Sequence, residues 1–158
     1  MPDITLTDKA SDAENILNGV LGLSQTSSVE PAPMGWVIYF ELAGRAAEAL
    51  GTMALKLEHS CDESVRAGAG EPWQSDPEVV EKILRRLPQK KVDEVRILKN
   101  GELCIQWEGA LSLRLQPAEY SLDWQWQVVP LQDAASQFSV VSVHGGKVFT
   151  RYPSGLLS

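Results

Sequence analysis

Apolar and polar residues alternate along one stretch of the chain, VDEVRILKNGELCIQWEGALSLRLQ (92–116). This period of two predicts three half-buried β-strands. Asn100-Gly101 separates the first two strands, and this dipeptide is the strongest short-range hairpin signal because both residues tolerate a positive φ. A second short turn containing glycine leads into the third strand. One face of the middle strand carries Leu103, Ile105 and Trp107. The segment therefore predicts an antiparallel meander.

Two helices are predicted outside this meander, near 11–22 and 76–87. Ser11 and Glu14 form the S-x-x-E pattern of a capping box, and apolar residues follow at helical spacing. The second helix begins at Asp76, has a proline at its first position and is stopped by another proline.

The remaining segments are assigned by their patterns. Further strands are predicted at 34–42, 52–59, 122–129, 138–144 and 147–152, loops at 24–33 and 66–75, and either a short helix or a wide hairpin connection at 43–51. The predicted fold class is α+β. It comprises a mainly antiparallel sheet of about eight strands and two helices, in a single domain over residues 1–158 with a loose N-terminus at 1–10.

The net charge is unevenly distributed. The chain has 21 acidic and 14 basic residues, which gives −7. Residues 1–75 contain 11 acids and 4 bases, whereas residues 76–158 contain 10 of each, so the whole imbalance lies in the N-terminal half. An acidic surface repels nucleic-acid phosphates and anionic lipids, so we expect neither nucleic acid nor membrane as partner, and a basic protein surface instead. The alternative is that the charge only maintains solubility.

Composition predicts a cytoplasmic protein. The longest apolar run, residues 36–40, is too short to span a bilayer. The first residues lack the basic start and apolar run of a secretory signal. Two cysteines do not make a disulfide framework, which favours a reducing compartment.

No catalytic, cofactor-binding or metal-binding residue is predicted. The densest polar cluster, residues 59–63, contains His59 and Cys61, which are possible zinc ligands. A zinc site needs three or four protein ligands, and the spacing to Cys104 and His144 favours none. We interpret the cluster as the polar end of a strand, and we expect no metal and no enzymatic activity.

The partner-binding surface is predicted in the acidic half, where charged residues lie on half-buried strands or next to loops. The predicted contact residues are Glu41, Glu58, Asp62, Glu63, Glu71 and Trp73. Trp73 lies in a polar loop between acidic residues, which is typical of a binding hot spot. The alternative for Trp73 is a hydrophobic staple on the helix at 76–87. The competing contact surface is the exposed polar face of the later hairpins, around Glu102, Gln106 and Arg114.

Residues 92–128 resemble a family of uncharacterised bacterial β-domains. In that family a V-x-x-V-x-I strand runs into N/D-G-x-L-x-I-x-[FW], then a strand of alternating leucines and a P-x-x-x-Y-x-x-W ending. The matching residues here are Val92, Val95, Ile97, Asn100, Gly101, Leu103, Ile105, Trp107, Leu111, Leu113, Pro117, Tyr120 and Trp124. The second turn, 108–110, departs from the Asp-Gly that is usual there. The resemblance covers about a quarter of the chain, and it transfers no functional residue by position.

Small acidic domains of this kind resemble immunity proteins, which neutralise the toxins of bacterial competition systems. The resemblance implies binding rather than catalysis. We therefore expect an immunity protein that occludes the active site of a cognate toxin with a basic surface. The alternatives are a chaperone or adaptor for a secreted effector and, third, a small enzyme. The commonest secretion chaperones end in an amphipathic helix, whereas this chain ends in KVFTRY and a short tail.

Overall fold

Two antiparallel sheets and three α-helices form an α+β fold in the computed structural model, which describes residues 3–32, 35–57, 61–68, 70–117, 124–131, 137–143 and 147–156. The strands are β1 (Ile4–Thr7), β2 (Gln25–Ala32), β3 (Gly35–Glu41), β4 (Thr52–Leu57), β5 (Cys61–Ala67), β6 (Val92–Ile97), β7 (Leu103–Trp107), β8 (Leu111–Pro117), β9 (Trp126–Pro130), β10 (Ser139–Val143) and β11 (Lys147–Pro153). The helices are α1 (Ala10–Leu21), α2 (Gly44–Leu50) and α3 (Pro77–Leu84). The large sheet has the order β1-β11-β10-β9-β4-β3-β2, and the small sheet has the order β5-β8-β7-β6.

The predicted meander is confirmed as β6, β7 and β8 of the small sheet. Gly101 adopts φ +84° in the first turn, and a 3₁₀ turn at Glu108–Ala110 makes the second. The predicted apolar face of β7 is fully buried, because the small sheet packs this face into the core. Here the period-two pattern identified both the strands and the buried side.

Trp107 joins the two sheets across the core. Its ring stacks on Phe40 of β3 with the centroids 6.4 Å apart, and its indole N–H donates to the Thr26 hydroxyl of β2 at 2.7 Å. The indole and the Thr26 hydroxyl therefore satisfy each other in a site without water access.

Three described strands were not predicted as strands: β1, β2 and β5. The prediction of a loose N-terminus at 1–10 is wrong at Ile4–Thr7, which pairs with β11 as an edge strand. The prediction of a loop at 24–33 is wrong as well, because Gln25–Ala32 pairs with β3. Both are edge strands. β1 alternates over only four residues and its apolar Ile4 and Leu6 are exposed, whereas β2 is mostly polar and carries a proline that an edge strand tolerates.

The third unpredicted strand overlaps the predicted loop at 66–75, since β5 extends to Ala67. At 43–51 the short helix is the alternative that forms, as α2, with Ala46 and Leu50 buried. The described chain thus has eleven strands and three α-helices rather than about eight and two.

The helix at 11–22 is confirmed as α1, but its predicted capping box is wrong. Lys9 occupies the N-cap position without a side-chain bond. Glu14 instead accepts a hydrogen bond from the Ile97 amide of β6 at 2.8 Å, so its carboxylate binds the backbone of the small sheet and does not cap the start of the helix.

The second predicted helix, α3, begins as expected and ends early. The Asp76 side chain accepts from the Glu78 amide at 2.8 Å, and the helix stops at Leu84 rather than at 87. Within the described ranges, no helix is long and apolar enough to cross a membrane.

Candidate functional site

A groove of about 1050 Å³ opens between α3, the β2–β3 pair and the small sheet. Trp36 of β3 and Trp73 of the β5–α3 loop line it, together with Val80 of α3. We call it the tryptophan groove. Its charged lining consists of Asp62, Glu63, Glu81 and Arg114. The groove therefore combines two indoles with three carboxylates and one guanidinium.

A strand-like bridge in the loop positions Trp73. The Gln74 amide donates to the Val65 carbonyl and the Val65 amide donates to the Gln74 carbonyl, each at 2.8 Å. These two bonds provide partners for the backbone groups of Val65 on the outer edge of β5. The indole of Trp73 then lies against two arginines of the small sheet. The guanidinium carbons of Arg66 and Arg114 are 4.5 and 4.6 Å from the ring centroid.

Trp36 is positioned at the opposite wall by a glycine. Gly35 has φ +141°, and a Cβ at this position would be 3.3 Å from the Leu57 carbonyl oxygen and 3.5 Å from Oε1 of Glu63. The positive φ strains any residue with a Cβ and the Leu57 contact would be tight, so glycine is favoured where the start of β3 lies against the end of β4. The guanidinium carbon of Arg85 lies 5.4 Å from the centroid of the Trp36 ring, and Arg85 also pairs with Glu81 at 3.6 Å.

The structure brings together three of the six predicted contact residues. Asp62, Glu63 and Trp73 all line the tryptophan groove. Glu41 lies at the other end of β3 from Trp36, five residues and roughly 17 Å away at the rise of a β-strand.

The other two predicted residues do not contribute to the groove as described. Glu71 is exposed in the β5–α3 loop and is not part of the groove lining. Glu58 lies outside the described residues, as do His59 and His144. The contact between Trp73 and two arginines was anticipated neither by the hot-spot interpretation nor by the hydrophobic staple.

Sequence reasoning missed Trp36 as a groove residue, and it placed Arg114 only on the competing surface of the later hairpins. The alternation of β8 places Arg114 on the opposite face from the buried Leu113 and Leu115. This pattern indicates that the Arg114 side chain faces away from the core. No local pattern indicates that Trp36 lies opposite Trp73, because the two residues belong to different elements and only tertiary packing brings them into one groove.

The outer face of the small sheet has a second, smaller cleft of about 240 Å³ next to Trp73 and its two arginines. Cys104 of β7 lies in it, flanked by Arg66 and Arg96. Burial raises the pKa of the Cys104 thiol above its ordinary value, while the nearby Arg66 guanidinium lowers it to a smaller extent. The thiol is therefore protonated at neutral pH and is a weak nucleophile.

The side chains of the groove can support recognition of a partner. Indole rings offer large apolar surfaces, and carboxylates beside them accept hydrogen bonds from Lys and Arg side chains. No group of three or more His, Cys, Asp or Glu side chains is arranged to hold a metal in the part of the chain that the structure describes.

No family model, curated protein or solved structure matches the chain.

Proposed function

We propose that this protein is a non-catalytic immunity protein that binds a cognate bacterial toxin in the cytoplasm and occludes its active site. The proposed contact surface is the tryptophan groove. The observation that carries the proposal is the convergence of Trp36 and Trp73 with Asp62, Glu63 and Glu81 in one groove.

The size of the groove favours a polypeptide as its occupant. Pockets for small molecules usually have volumes of roughly 300–1,000 Å³. At about 1050 Å³, the tryptophan groove lies just above that range and is partly open to solvent, which suits an inserted loop. This supports a protein partner over a metabolite.

The two indoles supply the apolar anchors of such an interface. Trp36 and Trp73 are both half-buried, so part of each ring remains in contact with water. Trp and Arg are enriched among the residues that dominate binding energy, particularly in pockets that a partner can close off from water. Both rings are held in place by arginines, which lowers the entropy lost when a partner binds.

The charge of the groove favours a basic partner. Its three carboxylates and one guanidinium sum to −2, in a chain with a net charge of −7. Toxins that act on nucleic acids or nucleotides have basic clefts, and complementary charge accelerates association with such a surface. An inhibitor that covers the cleft needs no catalytic group of its own.

The experiment is a neutralisation assay with the product of the gene adjacent to that of this protein. Co-expression measures growth rescue, and isothermal titration measures affinity. We expect Trp73→Ala and Trp36→Ala each to weaken binding about 30-fold or more, which corresponds to about 2 kcal/mol. The matched control is Phe149→Ala, an exposed aromatic on β11 outside the groove.

A charge-reversal pair tests the electrostatic part of the proposal. Asp62→Lys should slow association, whereas Glu41→Lys, the same change in charge outside the groove, should leave the association rate near that of the parent protein. If folded Trp36 and Trp73 variants both bind and protect as well as Phe149→Ala, the groove is not the interface. If the neighbouring gene product is neither bound nor inhibited, the immunity function is refuted.

A further inference from the structure

Two guanidinium groups lie side by side on the outer face of the small sheet. Arg66 of β5 is opposite Ser112 in the register, and Arg114 of β8 is opposite Ser64, so the two arginines are diagonal neighbours on one face. Both stack on the indole of Trp73, at 4.5 and 4.6 Å. We call these three residues the Arg–Trp–Arg cluster.

The two arginines of the cluster lack a counter-ion among the residues that the structure describes. Neither makes an ion pair with a described carboxylate, in contrast to Arg96, whose Nε donates to Glu94 at 2.6 Å on the same face. The Nε atoms of Arg66 and Arg114 are buried and have no hydrogen-bond acceptor within the described ranges. Partly desolvating a charge without a partner is unfavourable, and stacking on an indole offsets only part of the cost.

The cleft beside the cluster can accept a small group. It has a volume of about 240 Å³, and Arg66 is the member of the cluster that lines it, since Trp73 and Arg114 line the tryptophan groove. The lining also includes the side chains of Arg96, Gln106 and Ser112. All four side chains can donate hydrogen bonds. Because the indole holds the Arg66 guanidinium in one plane, an acceptor with two oxygens in a plane can be bound by two parallel bonds.

We infer that the Arg–Trp–Arg cluster is a binding site for a carboxylate group carried by an acidic polypeptide segment. A carboxylate supplies one negative charge and two coplanar oxygens. A phosphate dianion is less suited, since the Glu94 carboxylate also lines the cleft and would repel a second charge. The inference goes beyond the proposed function and requires no toxin, although the cluster shares Trp73 and Arg114 with the tryptophan groove.

The test uses short acetylated and amidated peptides of four residues, Glu₄ as the probe and Gln₄ as its uncharged control. The readout is the side-chain Nε–H resonances of Arg66 and Arg114 in ¹⁵N-edited NMR spectra, recorded at constant ionic strength. A chain of net charge −7 repels an acidic peptide in general, so saturable binding reports a local site. We expect Glu₄ to shift both resonances and Gln₄ to shift neither.

Variants distinguish a bidentate site from a diffuse positive patch. Arg66→Gln and Arg114→Gln should each weaken Glu₄ binding at least about tenfold, and Arg114→Lys should weaken it as well because lysine lacks the planar fork. Arg86→Gln, a change at an exposed arginine after α3, is the matched control and should leave binding unchanged. Far-ultraviolet circular dichroism checks that each variant is folded, and Arg114→Lys retains the charge near Trp73 should the glutamine variants unfold.

Three results would overturn the inference. The first is equal binding of Glu₄ and Gln₄. The second is unchanged Glu₄ binding in folded Arg66 and Arg114 variants. The third is tighter binding of inorganic phosphate than of Glu₄ at matched ionic strength, which would assign the cluster to phosphate. None of these measurements involves the toxin, so loss of the carboxylate site and loss of the immunity function are separable.

Discussion

The side chain of Asn18 takes the place of a neighbouring strand at the edge of the small sheet. Its amide nitrogen donates to the Val95 carbonyl at 2.7 Å, and its amide oxygen accepts from the Val95 amide at 2.8 Å. Each hydrogen bond contributes a net of about 1 kcal/mol, and leaving two backbone groups of the buried Val95 without partners raises the loss in Asn18→Ala to about 2.5 kcal/mol. Alanine returns about 0.6 kcal/mol in helix propensity. We therefore expect a net destabilisation of about 2 kcal/mol.

Urea denaturation followed by tryptophan fluorescence measures this change, and a chain of this length should lose roughly 4–8 °C in Tm. Asn15→Ala is the matched control, because it is the same substitution at an exposed position of the same helix. Hydrogen exchange gives a local measurement, in which the Val95 amide should exchange faster in Asn18→Ala. If the two variants agree within about 0.5 kcal/mol, or if protection of the Val95 amide is unchanged, Asn18 does not cap this edge.

Two further predictions follow from the small sheet. Gly101→Val should cost about 1–3 kcal/mol, because Gly101 holds φ +84° and a β-branched residue is strained there; an unchanged Tm would contradict this turn geometry. In a Cys61→Ser background, alkylation of Cys104 should show a pKa above that of a free cysteine, and Arg66→Gln should raise it further. Because the folded pKa is raised, the associated stability is present below the ordinary thiol pKa and is lost as the pH rises through the folded value. A lower pKa in the Arg66 variant would show that Arg66 does not act on this thiol.

Part of the candidate site could be predicted from the sequence. The acidic character of residues 1–75 and the position of Trp73 in a loop both indicated surface residues, and Asp62, Glu63 and Trp73 do line one groove. Glu41 met the same criteria and lies roughly 17 Å away along β3. Charge and exposure are local properties, whereas membership of a groove depends on which strand ends meet.

The meander at 92–116 shows what the sequence by itself determined. Its alternation specifies the strands β6, β7 and β8 and their buried face, because successive side chains of a strand point to opposite sides. Its Asn100-Gly101 turn specifies where the chain reverses, because few residues accept a positive φ. Both signals, the alternation and the turn, depend on only a few neighbouring residues, so they can be interpreted without knowing the rest of the fold.

Only the tertiary structure decided the edge strands, the sheet order and the functional surfaces. β1 is only four residues long and β2 is mostly polar, and they become strands because β11 and β3 offer backbone partners. Glu14 and Asn18 have the pattern of helix residues, yet they bind the backbone of β6, some 80 residues further along the chain. The Arg–Trp–Arg cluster likewise depends on Gln74 bridging to Val65, which brings Trp73 over two strands. Such contacts form between groups that are distant in the chain. The residues that make them show no periodic pattern in the sequence, so the contacts cannot be predicted from it.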